Sequence, residues 1–169
     1  MKFEVVIGAL AEGGVEFVVI GGVAMLLQGS AHLTQDIDFC YLRSRENIRR
    51  LAAVLSPYHP SLRGAPKGLP FVFDEETIRR GLNFTLSTDI GDIDFLGEVA
   101  GLGDYAAVKA ASETLEIFGR KCSVLSLDGL IRAKRAAGRK RDLEVLHELE
   151  ALRELKAMQN DAGKLPDKS

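Results

Sequence analysis

Residues 17–38 read Phe-Val-Val-Ile-Gly-Gly-Val-Ala-Met-Leu-Leu-Gln-Gly-Ser-Ala-His-Leu-Thr-Gln-Asp-Ile-Asp. Phe17 to Ile20 is too short for a helix and rich in branched and aromatic side chains, so it predicts a buried strand. Gly21-Gly22 breaks that strand, and Val23 to Gln28 predicts a short helix. A second strand, Asp36 to Leu42, alternates Asp36, Asp38 and Cys40 with Ile37, Phe39 and Tyr41. Strand, glycine pair, helix and strand in such close succession form the kernel of a mixed α/β domain.

The flanks extend this kernel. Upstream, Phe3, Val6, Ile7, Leu10 and Ala11 repeat at helical spacing, and Gly13-Gly14 ends that helix. Downstream, Ser44 is a candidate N-cap for a helix with Ile48, Leu51, Ala52 and Leu55 on its apolar face. Four prolines and two glycines make 56–70 an irregular loop, a candidate lid or simple excursion. A short helix over 74–80 follows. Asn83 to Ser87 and Asp92 to Leu96 then predict two strands joined by a Thr-Asp-Ile-Gly turn. Ala106 to Ala111 predicts a helix, and Thr114 to Phe118 and Lys121 to Leu125 two more strands around Gly119. From Leu127 the pattern is helical to Gln159, interrupted near Gly138. The expected architecture is α/β (α+β), a mixed sheet flanked by helices. Residues 1–126 form the core, 127–159 a helical hairpin packed on it, and 160–169 a disordered tail.

Composition narrows the function classes. The chain has 169 residues, 46% hydrophobic and 27% charged, with net charge −2. That near balance argues against a nucleic-acid coat or a polybasic membrane binder. Cys40 and Cys122 lie far apart and outside any Cys-x-x-Cys, which indicates neither a disulfide scaffold nor a zinc site. No secretion signal and no membrane span are legible, so a reducing cytoplasm is expected. The absence of GxxxxGK[ST] excludes a P-loop as far as that motif reaches. The overall balance hides one uneven feature. Residues 132–141 hold six basic side chains and no acid, and without them 16 basic residues face 24 acidic ones.

Aspartate is disfavoured in strands, yet Asp36 and Asp38 sit two apart and project from one face. Carboxylates about 7 Å apart raise each other's pKa unless a cation compensates. Paired carboxylates with phosphate oxygens are typical magnesium ligands. An isolated Asp-x-Asp is also what a turn acid followed by a solvent-facing one looks like. A second pair, Asp92 and Asp94, shares a face of the later strand; Asp94 lies deeper, between Ile93 and Phe95, whereas Asp92 borders the turn and can be solvated. Two strands converging with inward acids fit a two-metal site for in-line displacement at phosphorus. Gly21-Gly22 before a helix would let backbone N–H groups approach phosphates.

These residues together carry a resemblance. The 17–38 run is similar to the signature of the DNA polymerase β-type nucleotidyltransferases, nearest to the small bacterial branch that includes AbiEii-like toxins. That pattern is hydrophobic-GG-x-A, a glycine, then T-x-D-x-D, followed later by one aspartate in an apolar strand. The resemblance implies a nucleotidyltransferase-like fold and transfer of a nucleoside monophosphate from an NTP to an acceptor hydroxyl, with release of pyrophosphate. It implies that Gly21, Gly22 and Thr34 serve the nucleotide. Asp36, Asp38 and Asp94 would bind Mg2+ or Mn2+, and Asp94 could act as general base. Relatives often carry an arginine two before the threonine, where this chain has His32.

The basic block is read against the same pattern. Lys134 falls on the buried stripe of Leu127, Leu130 and Ile131, and Asp142 on the stripe of Val145, Leu146 and Leu149. Many relatives end with a K-x(4)-R-x-x-D-like element, here Lys134, Arg139 and Asp142. The resemblance makes Lys134 and Arg139 contacts to triphosphate or a nucleic-acid acceptor, with Asp142 orienting one of them or helping at the acceptor side. Snorkelling bases beside a helix-start acid would look similar. Transfer-RNA ends, protein hydroxyls and small molecules are all open as acceptors, as is a cognate toxin or antitoxin partner. The alternatives are a non-catalytic nucleotide-binding or antitoxin-like module, and a nucleic-acid-binding domain using the basic block.

Overall fold

Four consecutive apolar residues with no polar partner can be satisfied only where both faces of a strand are covered. Phe17–Ile20 (β1) is accordingly buried at every position. The computed structural model describes residues 2–66 and 68–162, and β1 lies inside its seven-stranded sheet. The elements before and after it are α1 (Phe3–Glu12), α2 (Gly21–Leu27), β2 (Asp36–Tyr41) and α3 (Arg45–Leu55). They are followed by a 3-10 turn (Ser56–Tyr58), β3 (Ser61–Leu62), α4 (Glu75–Arg80), β4 (Asn83–Thr88) and β5 (Gly91–Leu96). A two-stranded ribbon, β6 (Glu98–Val99) with β7 (Gly103–Asp104), precedes α5 (Tyr105–Ala110). The chain continues through β8 (Ser112–Ile117), β9 (Arg120–Leu125), α6 (Leu127–Ala137) and α7 (Lys140–Ala162).

The sheet order is β3-β4-β5-β2-β1-β9-β8. β1 pairs antiparallel with β2 and parallel with β9, and β2 pairs parallel with β5, so the sheet is mixed. The register of the β2–β5 pair matters most: Asp36 stands beside Asp92 and Asp38 beside Asp94. Because side chains alternate, the intervening Ile37, Phe39, Ile93 and Phe95 go to the opposite face, where all are buried. There Phe39 stacks on Phe95 at 5.5 Å, Phe17 meets Phe39 edge-on at 5.2 Å and Phe73 packs on Phe84 at 5.3 Å. That aromatic layer fixes which face the aspartates occupy, since a one-residue slip would bury them in its place.

Helix starts follow side-chain capping. Ser44 accepts from the Asn47 N–H, Asp74 from Thr77, Asp104 from Ala107 and Ser126 from Gly129. The helical run after Leu127 breaks where expected, with Gly138 in the left-handed region at φ 62°. Several details differ from expectation, among them the β6–β7 ribbon, whose strands are two residues each. The helix after β1 starts at Gly21 itself, whose φ of 61° turns the chain directly into it. The 56–70 loop also hides β3, which at two residues is too short for periodicity to reveal. Residues 160–162 of the expected tail continue α7, and 163–169 lie outside the described residues.

Asn47 ties these layers together. It is buried, accepts from the Glu16 N–H at 2.7 Å and donates to the carbonyls of Glu16 at 3.0 Å and Leu42 at 2.8 Å. Thus α3 pins the entry of β1 and the exit of β2. Asn47→Ala takes the partner from the Glu16 N–H and the Leu42 carbonyl, while the Glu16 carbonyl keeps the Leu42 N–H at 3.2 Å, and it is expected to lower stability by about 2–4 kcal/mol in urea unfolding. A loss under about 0.5 kcal/mol would show that water takes over these bonds.

Candidate active site

The polar face of β2 and β5 opens onto a cleft of ≈ 580 Å³ whose opposite side is formed by α6 and α7. Gly21, Gly22, Thr34, Asp36, Asp38, Asp94, Lys134, Arg139 and Asp142 all line it. Nine residues singled out from the sequence therefore meet in one place, although 106 positions separate the first from the last of the carboxylates (Asp36 and Asp142).

The glycine pair is required by close approach. A Cβ on Gly21 would lie 2.0 Å from an Asp38 carboxylate oxygen, and one on Gly22 would lie 2.7 Å from Thr34. Absence of side chains here lets Asp38 pack against the backbone, where the Gly22 N–H pulls its pKa down. That pull does not offset the surroundings. Burial first, then the charges of Asp36 and Asp94, push the Asp38 pKa up to about 6. Asp36 accepts from the Thr34 hydroxyl at 2.9 Å, which explains the threonine two residues before it. Asp94 is also shifted upward by burial, against the opposing pull of Arg63.

Arg63 is the residue that sequence reading missed. Its Nη2 donates to Asp94 Oδ1 at 2.6 Å, and its guanidinium lies 3.3 Å from Asp92 and 3.5 Å from Asp36. Asp92, left open between roles, accepts from the Ser87 hydroxyl at 2.8 Å and belongs to this Arg63 cluster, outside the cleft lining.

On the far side, Asp142 is fully buried between two cations. Lys134 Nζ donates to Oδ1 at 2.9 Å and Arg139 Nε to Oδ2 at 2.8 Å. Burial pushes its pKa up, but these two hydrogen bonds and charges outweigh it and hold the carboxyl below its ordinary value. Lys134 in turn lowers the pKa of Asp38 across the cleft. The rest of the basic block is partly consumed: Arg135 pairs with Glu150 at 2.6 Å and Arg132 donates to the Gly101 carbonyl at 3.2 Å. Arg141 lines the cleft. His32 also lines the cleft from an exposed loop, which Glu148 of α7 fastens by accepting from Ser30 Oγ at 2.8 Å and the Ala31 N–H at 2.9 Å.

The donor set suits a hard divalent cation, since Asp36, Asp38 and Asp94 offer only carboxylate oxygens. Burial and the neighbouring charges of Asp36 and Asp94 raise the Asp38 pKa, and such an ion would compensate the carboxylate against both. Among the described residues, however, no three acidic, histidine or cysteine side chains are already gathered as ligands. Arg63 holds Asp94 instead.

No family model matches the chain, and no curated relative matches it. Solved structures do share its fold. The lincosamide antibiotic adenylyltransferase LnuA, in its lincomycin-bound form, aligns over 89% of this chain and 96% of its own at 12% identity, TM-score 0.57. ANT(2")-Ia in complex with adenylyl-2"-tobramycin aligns over 94% of this chain and 96% of its own at 13% identity, TM-score 0.54. TM1012 of Thermotoga maritima, assigned as a nucleotidyltransferase, aligns over 92% and 91% at 17% identity, TM-score 0.51. The mixed sheet with its flanking helices and C-terminal helix is thus a nucleotidyltransferase-like fold. No helix among the described residues is long and apolar enough to cross a membrane.

The raised Asp38 pKa has a signed consequence. A carboxyl whose folded pKa lies above its unfolded value of 3.8 binds its proton more tightly when folded, so stability falls as pH rises from about 4 to 6. Asp38→Asn removes that loss. In metal-free urea unfolding the variant should gain on the wild type by about 2 kcal/mol at pH 7.5 relative to pH 4. A difference that is independent of pH would contradict the burial of this carboxylate.

Proposed function

We propose that this chain is a metal-dependent nucleotidyltransferase that moves a nucleoside monophosphate from an NTP to an acceptor hydroxyl. The observation that carries the reading is the β2–β5 register, which sets Asp38 beside Asp94 and Asp36 on the same strand face, across one cleft from Lys134 and Arg139. Carboxylates on one side and fixed cations on the other are what a metal-bound triphosphate needs. The nucleotidyltransferase-like fold supports the reading, and so does the likeness of residues 17–38 to the polymerase β-type signature.

Asp36, Asp38 and Asp94 would hold Mg2+ or Mn2+, which when bound supplies Lewis-acid neutralisation of the phosphate oxygens. Lys134 and Arg139, pinned by Asp142, orient the triphosphate, and Gly21 and Gly22 leave room for it beside the backbone. The acceptor oxygen bonds to the α-phosphorus, the α–β bridging P–O bond breaks, and pyrophosphate leaves with that electron pair. The acceptor's proton passes to Asp94 as general base. Positioning and charge neutralisation carry most of the rate.

Small-molecule acceptors gain weight from LnuA and ANT(2")-Ia, seen with lincomycin and with an adenylylated tobramycin. RNA ends and protein hydroxyls stand beside them, and a toxin–antitoxin setting in the cytoplasm rests on the 17–38 run alone. One observation favours a second reading, a nucleotide-binding module without turnover: Arg63 occupies Asp94, and among the described residues no ligand triad is gathered. A labelled NTP with Mg2+ or Mn2+, offered to RNA, protein and small-molecule pools, separates the two. Asp36→Asn should reduce transfer on the order of 10²–10³-fold. Equal labelling by both proteins rejects catalysis at this site, whereas NTP binding by calorimetry with no transfer from the wild type establishes the module.

A further inference from the structure

Arg63 follows the edge strand β3, and its backbone N–H donates to the Thr85 carbonyl at 3.0 Å. The side chain therefore starts from a fixed point and reaches across β4 to the acids of β5 and β2. Only one of its contacts has the geometry of a strong bond, Nη2 to Asp94 Oδ1 at 2.6 Å; the same nitrogen donates to the Leu86 carbonyl at 3.2 Å. The contact to Asp36 is long at 3.5 Å, and Nε, although 3.3 Å from Asp92, is buried without a hydrogen-bond partner. A guanidinium evolved as a structural clamp would present its fork to one carboxylate in two parallel bonds. This one is shared thinly among three, with a donor left unmet, which is costly in itself.

Charge explains the arrangement better than geometry. Asp36, Asp38, Asp92 and Asp94 lie side by side on two neighbouring strands. Arg63 is the cation in direct contact with three of them, while Lys134 is held by Asp142. Asp36 and Asp94 also line the cleft, which Arg63 does not. The same two carboxylates thus face a guanidinium on one side and the cleft on the other. A divalent cation entering there meets a neighbouring positive charge and finds an Asp94 oxygen already engaged.

We propose that Arg63 is an internal counter-ion that competes with the divalent metal for Asp36 and Asp94, so that metal binding must draw Asp94 away from the guanidinium. Arg63 then sets the metal affinity of the site and keeps Asp94 engaged until metal arrives. It is a positioning residue, acting through the carboxylates. The inference rests on the metal-dependent reading given above.

The test is Mn2+ binding to the full chain by calorimetry, without nucleotide, in wild type, Arg63→Gln and Arg63→Lys. Loss of a charge-assisted hydrogen bond should tighten the Kd of Arg63→Gln by about tenfold or more, with a smaller shift in Arg63→Lys. The metal-free Arg63→Gln protein should melt below the wild type and gain more in Tm on adding Mn2+. Should Arg63→Gln fail to fold, the wild type still decides the matter by NMR. The buried Arg63 Nε–H signal should shift or exchange with solvent as Mg2+ saturates the protein. Equal or weaker Mn2+ binding by the variants, or an Nε–H signal untouched by saturating Mg2+, overturns the proposal while leaving the nucleotidyltransferase reading in place. Absence of Mn2+ binding to every protein overturns both.

Discussion

Parallel pairing of β2 with β5 places Asp36 against Asp92 and Asp38 against Asp94, and the surroundings of the sheet answer that concentration of charge. Each strand face is committed by its alternate residues. Phe39, Phe95 and their aromatic neighbours cannot be given to water, so the acids cannot be moved to the other side. What remains is to compensate them where they are. Thr34 donates to Asp36, Ser87 to Asp92 and Arg63 to Asp94, with the guanidinium also near Asp36 and Asp92. Neutral hydroxyls and one shared cation are less than burial demands, and the raised pKa of Asp38 records the shortfall.

The opposite wall solves the inverse problem. Asp142 is buried and would be costly alone, but two cations converge on it and their combined charge exceeds its own. The triad is therefore net positive and rigid, facing a set that is net negative and undercompensated. A near-neutral chain can in this way contain a strongly polarised cleft. The basic block of residues 132–141 is not a free patch: Glu150, Asp142 and a backbone carbonyl take up Arg135, Lys134, Arg139 and Arg132.

Legibility from sequence followed the range of the signal. β1, the β2 alternation and the cap at Ser44 are local patterns, and each formed within a residue or two of its expected bounds. Lys134 and Asp142 were legible because each falls on an apolar helical stripe, a place where a solvated charge does not belong. Arg63 left no such mark. It sits among prolines and glycines, outside any period, and its importance arises only from β3 joining the sheet edge through two residues. Asp92 was undecidable for a related reason, since proximity to a turn does not reveal which long-range cation approaches it.

Stability and ligand binding are linked through the same groups. Any ligand that brings positive charge to Asp36, Asp38 and Asp94 in the folded state, and finds no such cluster in the unfolded chain, stabilises the fold by mass action. Arg63 cannot fully take that part. Its fork meets one carboxylate well and leaves Nε unmet, and a single charge cannot balance four neighbouring acids. A perfectly compensated face would be more stable without ligand and would have less to gain from a metal-bound triphosphate. The incomplete compensation is therefore consistent across its three signs, the unmet nitrogen, the Asp38 and Asp94 pKa values raised by burial and neighbouring acids, and, among the described residues, the absence of a ready ligand triad.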